Sequence, residues 1–117
     1  MQPGKTDPNV RSIGRSPREE EPELWKTFQK RGTIELLTLL QSDEELRMRD
    51  VLEAIPSISK QTLVSRLNEL DSLEIVHRRV NDGPPVSTWY SLTALGTEVA
   101  EAAEILVRVG SKSSKKR

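Results

Sequence analysis

The sequence predicts a mainly α-helical chain with one small β-hairpin, an α+β architecture built around a single small core. Three observations lead there. Apolar residues recur at helical spacing in successive short segments between residues 22 and 109. Two β-prone stretches, 75–80 and 86–92, bracket the turn Asn81-Asp82-Gly83-Pro84-Pro85. Both ends of the chain are polar and carry no apolar periodicity.

A chain of 117 residues is enough for one domain. With 34% hydrophobic and 31% charged residues the core must be small, and pairing is a common way for such a chain to gain stability. The sequence holds no cysteine, which excludes disulfides, thiolate metal sites and thiol switching within it. Basic and acidic residues number 18 each, so global charge lends no support to a polyanionic partner; only the placement of the charges can. No apolar run is long enough to span a membrane and the first residues lack a signal-peptide core, so the expectation is an intracellular protein.

Residues 1–21 hold Pro3, Gly4, Pro8, Gly14 and Pro17 with almost no apolar side chain, the composition of a disordered arm. Residues 111–117 read as a basic flexible tail, leaving 22–110 as the folded domain. Pro22 suits the first position of a short helix carrying Leu24, Trp25 and Phe28 on one side and ending near Gly32. Thr33 is placed to cap a second helix, 34–41, whose leucines lie nearly all round and make it central. Residues 46–48 suit a single edge strand. A third helix, 49–55, turns Val51, Leu52 and Ile55 inward and is stopped by Pro56. Ser59 caps a fourth, 60–70, with Leu63, Leu67 and Leu70 as its buried stripe. Thr93 caps the last, 94–109. The third and fourth helices, joined by a short proline-containing turn, form a helix-turn-helix, and the hairpin after them stands where a wing would. The expected fold is a winged helix-turn-helix.

Three stretches resemble the HxlR-type winged-helix transcription regulators, relatives of the MarR group, over roughly residues 25–109. Arg47-Met48-Arg49-Asp50-Val51 is similar to that family's Arg-Phe-x-Glu-Leu. Residues 55–70, opening Ile55-Pro56-Ser57-Ile58-Ser59, resemble its Ile-Pro-Gly-Ile-Ser and recognition helix. Pro84-Pro85-Val86, then Tyr90-Ser91-Leu92-Thr93 and Gly96, resemble its wing and the Tyr-x-Leu-Thr-x-x-Gly that opens its final helix. The chain departs from the pattern in three places. It lacks the family's cysteine near the first helix, which sets thiol or aldehyde sensing aside. Glu74 stands where the family has a glycine, and the segment with Ser87-Thr88-Trp89 is about one residue longer. The resemblance implies a homodimer on near-palindromic operators in a bacterial or archaeal cytoplasm, associated with the nucleoid, with no cofactor.

A helix in the major groove reads base edges with short polar or basic side chains near its N-terminal end. Ser59, Lys60, Gln61, Thr62, Ser65 and Arg66 meet that need. Gln61 suits adenine, Lys60 or Arg66 suits guanine or a phosphate, and the helix N-terminus at Ser59 suits a phosphate. The competing reading is a plain solvated helix face, with Arg66 paired to Glu69 or Glu45. Strand alternation sends Arg78 and Arg79 to opposite faces, and Arg79 is the one assigned to DNA. The wing tip, with Asn81 and Asp82, has no basic residue and is a weak phosphate ligand. Arg47 and Arg49 flank the start of the third helix. The resemblance implies that Arg47 touches the phosphate backbone; an ion pair with Glu44 or Glu45 is the alternative. The tail cations Lys112, Lys115, Lys116 and Arg117 either add salt-sensitive affinity or merely aid solubility.

Leu95, Val99, Ala102, Leu106 and Val109 recur in steps of four and three, the spacing of a helix–helix seam. Ala100, Ala103 and Val107 form a second strip beside them. One strip suits the domain and the other a second copy, joined by Trp25 and Phe28; burial of both within one chain is the alternative. His77 stands alone, with no cysteine or paired carboxylate for a metal, and no nucleophile–base set or phosphate loop is present. The expectation is a non-enzymatic, sequence-specific duplex-DNA regulator acting as a homodimer without cofactor, its effector unnamed. A winged-helix protein-interaction module and a non-specific architectural DNA-binding protein are the alternatives.

Overall fold

A computed structural model of the chain describes residues 22–42 and 45–115; the expected arm at 1–21, Glu44 and the last tail residues lie outside them. The elements are α1 (Glu23–Phe28), α2 (Thr33–Ser42), β1 (Leu46–Arg47), α3 (Met48–Ala54), α4 (Lys60–Ser72), β2 (Val76–Asn81), β3 (Ser87–Leu92) and α5 (Ala94–Lys115). The strands form one antiparallel sheet in the order β1-β3-β2, with the two-residue β1 on the edge. Leu46 pairs with Tyr90, and Val76, Arg78 and Asn81 pair with Leu92, Tyr90 and Ser87.

The core explains why these segments fold together. Leu36, Leu37 and Leu40 of α2 are buried against Val51 of α3, the Leu63-Leu67-Leu70 stripe of α4, and Ile75, Val76 and Tyr90 at the sheet. Removing each such leucine from water contributes about 1.5–3 kcal/mol, and α2 holds the centre because the other helices and the sheet pack around it. Ala100 and Ala103 of α5 are fully buried, and their small size lets α5 lie close on α2.

Several local expectations are corrected. Pro22 is the N-cap of α1, not its first helical residue, and α1 ends at Phe28, four residues short of Gly32. Thr33 does not cap α2 but begins it; its buried hydroxyl donates to the Thr27 carbonyl at 2.6 Å, fastening α1 to α2. The last helix does not stop at Val109. It continues through Gly110 to Lys115, because one glycine costs a helix only about 1 kcal/mol and lysines at the C-terminal end suit the helix dipole. No helix among the described residues is long and apolar enough to cross a membrane.

The exit from α4 is a Schellman motif. Ile75 N–H donates to the Leu70 carbonyl at 2.9 Å and Glu74 N–H to Asp71 at 3.0 Å, with Glu74 at φ 63°. That position favours glycine, since a side chain in the left-handed region crowds its own carbonyl. Glu74→Gly is expected to stabilise the fold by about 0.5–1 kcal/mol, read as a higher midpoint in urea with an unchanged slope; an unchanged or lower midpoint contradicts it.

Candidate nucleic-acid interface

The helix-turn-helix is built as its sequence requires. Ser59 Oγ accepts from Thr62 N–H at 3.2 Å and donates toward Thr62 Oγ1 at 3.0 Å, so both residues serve the cap of α4. Burial of Leu63, Leu67 and Leu70 leaves Gln61, Ser65 and Asn68 on the opposite side, with exposed Lys60 at the N-terminal edge. Asn68 was missing from the expected set, although its spacing of three from Ser65 and seven from Gln61 places it on the same face.

Arg66 departs from that face. It lies on the flank of α4 with a side chain only 15% exposed. Its Nη1 donates to Glu69 Oε1 at 2.7 Å and its Nε to the Arg31 carbonyl at 3.1 Å. The alternative pairing with Glu69 is the observed one. Lys30 Nζ also donates to Glu69, at 3.2 Å. Partial burial pushes the Glu69 carboxyl up, but the hydrogen bonds and charges of Arg66 and Lys30 outweigh it and hold the group below its usual range.

Beside the start of α3 lies a row of cations on the outer face of the sheet. Arg47 and Arg79 are the cross-strand partners of Trp89 from its two sides, and their guanidinium carbons stand 5.4 and 5.3 Å from its ring centroid. Arg47 N–H donates to Asp50 Oδ2 at 3.3 Å, capping α3, while its shielded Nε lies 3.8 Å from the same carboxylate, beyond hydrogen-bond distance. Among the described residues Asp50, not Glu45, supplies the ion pair of Arg47; Glu44 lies outside them. Glu45 instead binds Arg79 through both oxygens, at 2.8 and 3.0 Å. That hydrogen bond holds the Glu45 carboxyl below, and the Arg79 guanidinium above, their ordinary ranges. Register bears out the alternation: Arg78 pairs with buried Tyr90 and Arg79 with Trp89. Trp89, absent from the expected site, is recognisable only once the register is known. Arg49, Lys60 and Arg78 are exposed and make no hydrogen bond or ion pair among the described residues.

The hairpin projects past this surface. Asn81 Oδ1 accepts from Gly83 N–H at 3.2 Å, and Val86 is 68% exposed at the tip.

The helix expected to pair with a second copy divides only partly along its two expected strips: Val107 leaves the core strip and Val99 leaves the exposed one. Ala100 and Ala103 face the core, whereas Leu95, Ala102, Leu106 and Val109 are exposed. Ile105 and Val107 are exposed too, as is every residue from Glu104 to Ser113, although Val107 borders an open groove with Ile34, Leu39 and Ile55. Trp25 is 44% exposed, but Phe28 and Val99 pack partly on their own core.

A recognition-type helix offered from a tight helical turn, beside a three-stranded sheet with a projecting hairpin, defines a winged helix-turn-helix protein. The chain belongs to the HxlR-like helix-turn-helix family, whose model matches residues 28–117. It is 44% identical over 55 residues to the HTH-type transcriptional regulator YodB of Bacillus subtilis (strain 168), covering 47% of this chain and 49% of YodB. The structure of quinone-bound YodB aligns with a TM-score of 0.65 at 27% identity, covering 83% of this chain and 99% of that one. The redox regulator HypR in its reduced form aligns with a TM-score of 0.72 at 24% identity, covering 85% and 94%, a likeness in fold. The chain spans about half the length of the curated relatives it matches.

Proposed function

We propose that this chain is a sequence-specific duplex-DNA-binding transcription regulator that acts as a homodimer on the nucleoid of a prokaryotic cytoplasm, without enzymatic activity. The observation that carries the reading is the outward face of α4. Gln61, Ser65 and Asn68 share one solvent-facing side of a helix whose other side is fully committed to the core, with Lys60 exposed at its N-terminal end and unpaired among the described residues. Such a face matches the donor and acceptor pattern of base edges, and Thr62 and Ser59 set the helix N-terminus against a phosphate. Arg49, together with Arg47 and Arg79 flanking Trp89, supplies phosphate contacts beside it. Arg79 reaches a phosphate only by sharing or leaving Glu45, so its contribution is small until DNA competes with that carboxylate.

The dimer reading rests on α5. Ile105, Leu106, Val107 and Val109 leave about half of their apolar surface in water near the end of α5, which calls for a covering surface. The seam spacing of Leu95, Val99, Ala102, Leu106 and Val109 fits a second copy of the same helix. Paired subunits would set their α4 helices about 34 Å apart, one turn of duplex.

Selection of duplexes from a random pool by the purified chain tests the reading. An inverted repeat with half-sites about one turn apart is the expected product, and Lys60→Ala/Gln61→Ala is expected to weaken binding to it about 100-fold while leaving thermal stability unchanged. An unenriched pool with uniform, salt-sensitive binding points to an architectural role instead. No duplex binding at low salt points to a protein partner.

A further inference from the structure

Helix α4 is fastened at mid-length to the short connection that joins α1 to α2. Lys30 and Arg66 grip the two oxygens of Glu69, Arg66 Nε reaches the Arg31 carbonyl, and Arg31 Nη2 donates to the Ser57 carbonyl at 3.1 Å in the α3–α4 turn. Gly32 lies beneath, at φ 95°; a Cβ there would stand 3.4 Å from Arg66 Cγ and 3.7 Å from both Ile58 Cδ1 and Leu63 Cδ2. The connection thus holds the turn before α4 and the middle of α4 at once.

We propose that Arg66 is a positioning residue. It sets the tilt of α4 against the body of the domain, and so the fit of the Gln61-Ser65-Asn68 face to a groove, without itself touching DNA. The proposal rests on the reading of α4 as the element that enters the groove. Three features support it. Arg66 lies on the helix flank that meets the α1–α2 connection, away from the outward face. Two of its nitrogens are already committed, one to a carboxylate and one to a backbone carbonyl. Glu69 offsets part of the charge that Arg66 and Lys30 bring to it, which weakens the attraction of Arg66 for a phosphate. Base-edge hydrogen bonds tolerate only about 0.5 Å of misplacement, so a loosened support erodes specificity before it erodes general affinity for DNA.

The test uses the full chain, the duplex it selects and a scrambled duplex, each over a range of salt. Arg66→Gln, Glu69→Gln and the double variant are each expected to bind the selected duplex about tenfold more weakly and the scrambled one within about twofold of wild type. The salt slope stays the same, and the loss in the double variant is smaller than the two single losses combined, because both variants cut the shared Arg66–Glu69 pair. Glu69→Gln decides the matter even if Arg66→Gln fails to fold. Were Arg66 a phosphate ligand, removing its carboxylate partner would free it and tighten binding to both duplexes. That result, a salt slope smaller by about 0.9 in Arg66→Gln, or selected-duplex affinity unchanged in Glu69→Gln, overturns the proposal. A wild-type chain that selects no sequence removes the underlying reading of α4, and this proposal with it.

Discussion

Gly96→Ala lowers the stability of this domain by about 3 kcal/mol, with a thermal midpoint roughly 10 °C or more below wild type. The start of α5 is pressed onto the start of β2. Thr93 Oγ1 accepts from Gly96 N–H at 2.9 Å while the same hydroxyl lies 2.6 Å from the Glu74 carbonyl and 3.1 Å from that of Ile75. A single donor shared between two carbonyls and a cap closing the helix hold the strand and helix together. A Cβ on Gly96 would lie 1.9 Å from Ile75 O, a backbone atom that cannot rotate away. Either α5 lifts off α2, uncovering Ala100 and Ala103, or β2 shifts and weakens its pairing with β3. Either movement is a large fraction of the stability of a domain this size. Thermal unfolding followed by circular dichroism checks it, and a midpoint within about 3 °C of wild type would refute the argument.

Leu106→Glu/Val109→Glu is the second large effect, and it falls on function. Both side chains are about half exposed in the single chain, at 53% and 51%, so charging them costs its fold little, within about 0.5 kcal/mol for surface sites. In a paired α5 seam they would bury four carboxylates without partners, which a small interface cannot sustain. Sedimentation is expected to show a wild-type mass near twice 13.2 kDa and a variant near 13.2 kDa. Affinity for an inverted repeat is expected to drop by about 100-fold or more, because each half-site must then be bound separately. A wild type that sediments as a monomer, or a charged variant that still pairs, defeats the dimer reading. The half-exposed state of these residues makes the test clean, since loss of pairing cannot be blamed on a broken core.

Glycine 96 shows how a residue can be visible in a sequence and yet unexplained by it. It closes the stretch from Tyr90 to Gly96 that carries part of the family resemblance. Its reason, the Ile75 carbonyl, lies 21 residues away along the chain and is brought there only by the Schellman turn at Glu74. Glu74 itself was recognisable as a departure from pattern, and its positive φ supplies the physical meaning of that departure.

Local chemistry determined most of the fold from the sequence alone. Ser59 and Thr93 cap the helices they precede, Pro56 separates α3 from α4, the Gly/Pro turn closes the β2–β3 hairpin, and the leucine stripes choose their buried sides. Each depends on residues within about four positions of one another, which is the range over which backbone hydrogen bonding and side-chain periodicity act. The division of α5 into a core strip and an exposed strip was legible for the same reason at Ala100, Ala103, Leu95, Ala102, Leu106 and Val109, but not at Val99 and Val107. The partners of the arginines were not. Arg66 and Arg79 find a carbonyl and a carboxylate 35 and 34 residues away, and Arg47 and Arg79 meet on Trp89 through a strand register that no single segment encodes. A long flexible cation has many nearby acids to choose from in this evenly charged chain. Only the packing of α4 on the α1–α2 connection, and of β1 and β2 on either side of β3, decided which of them hold the domain together and which stay open to a partner.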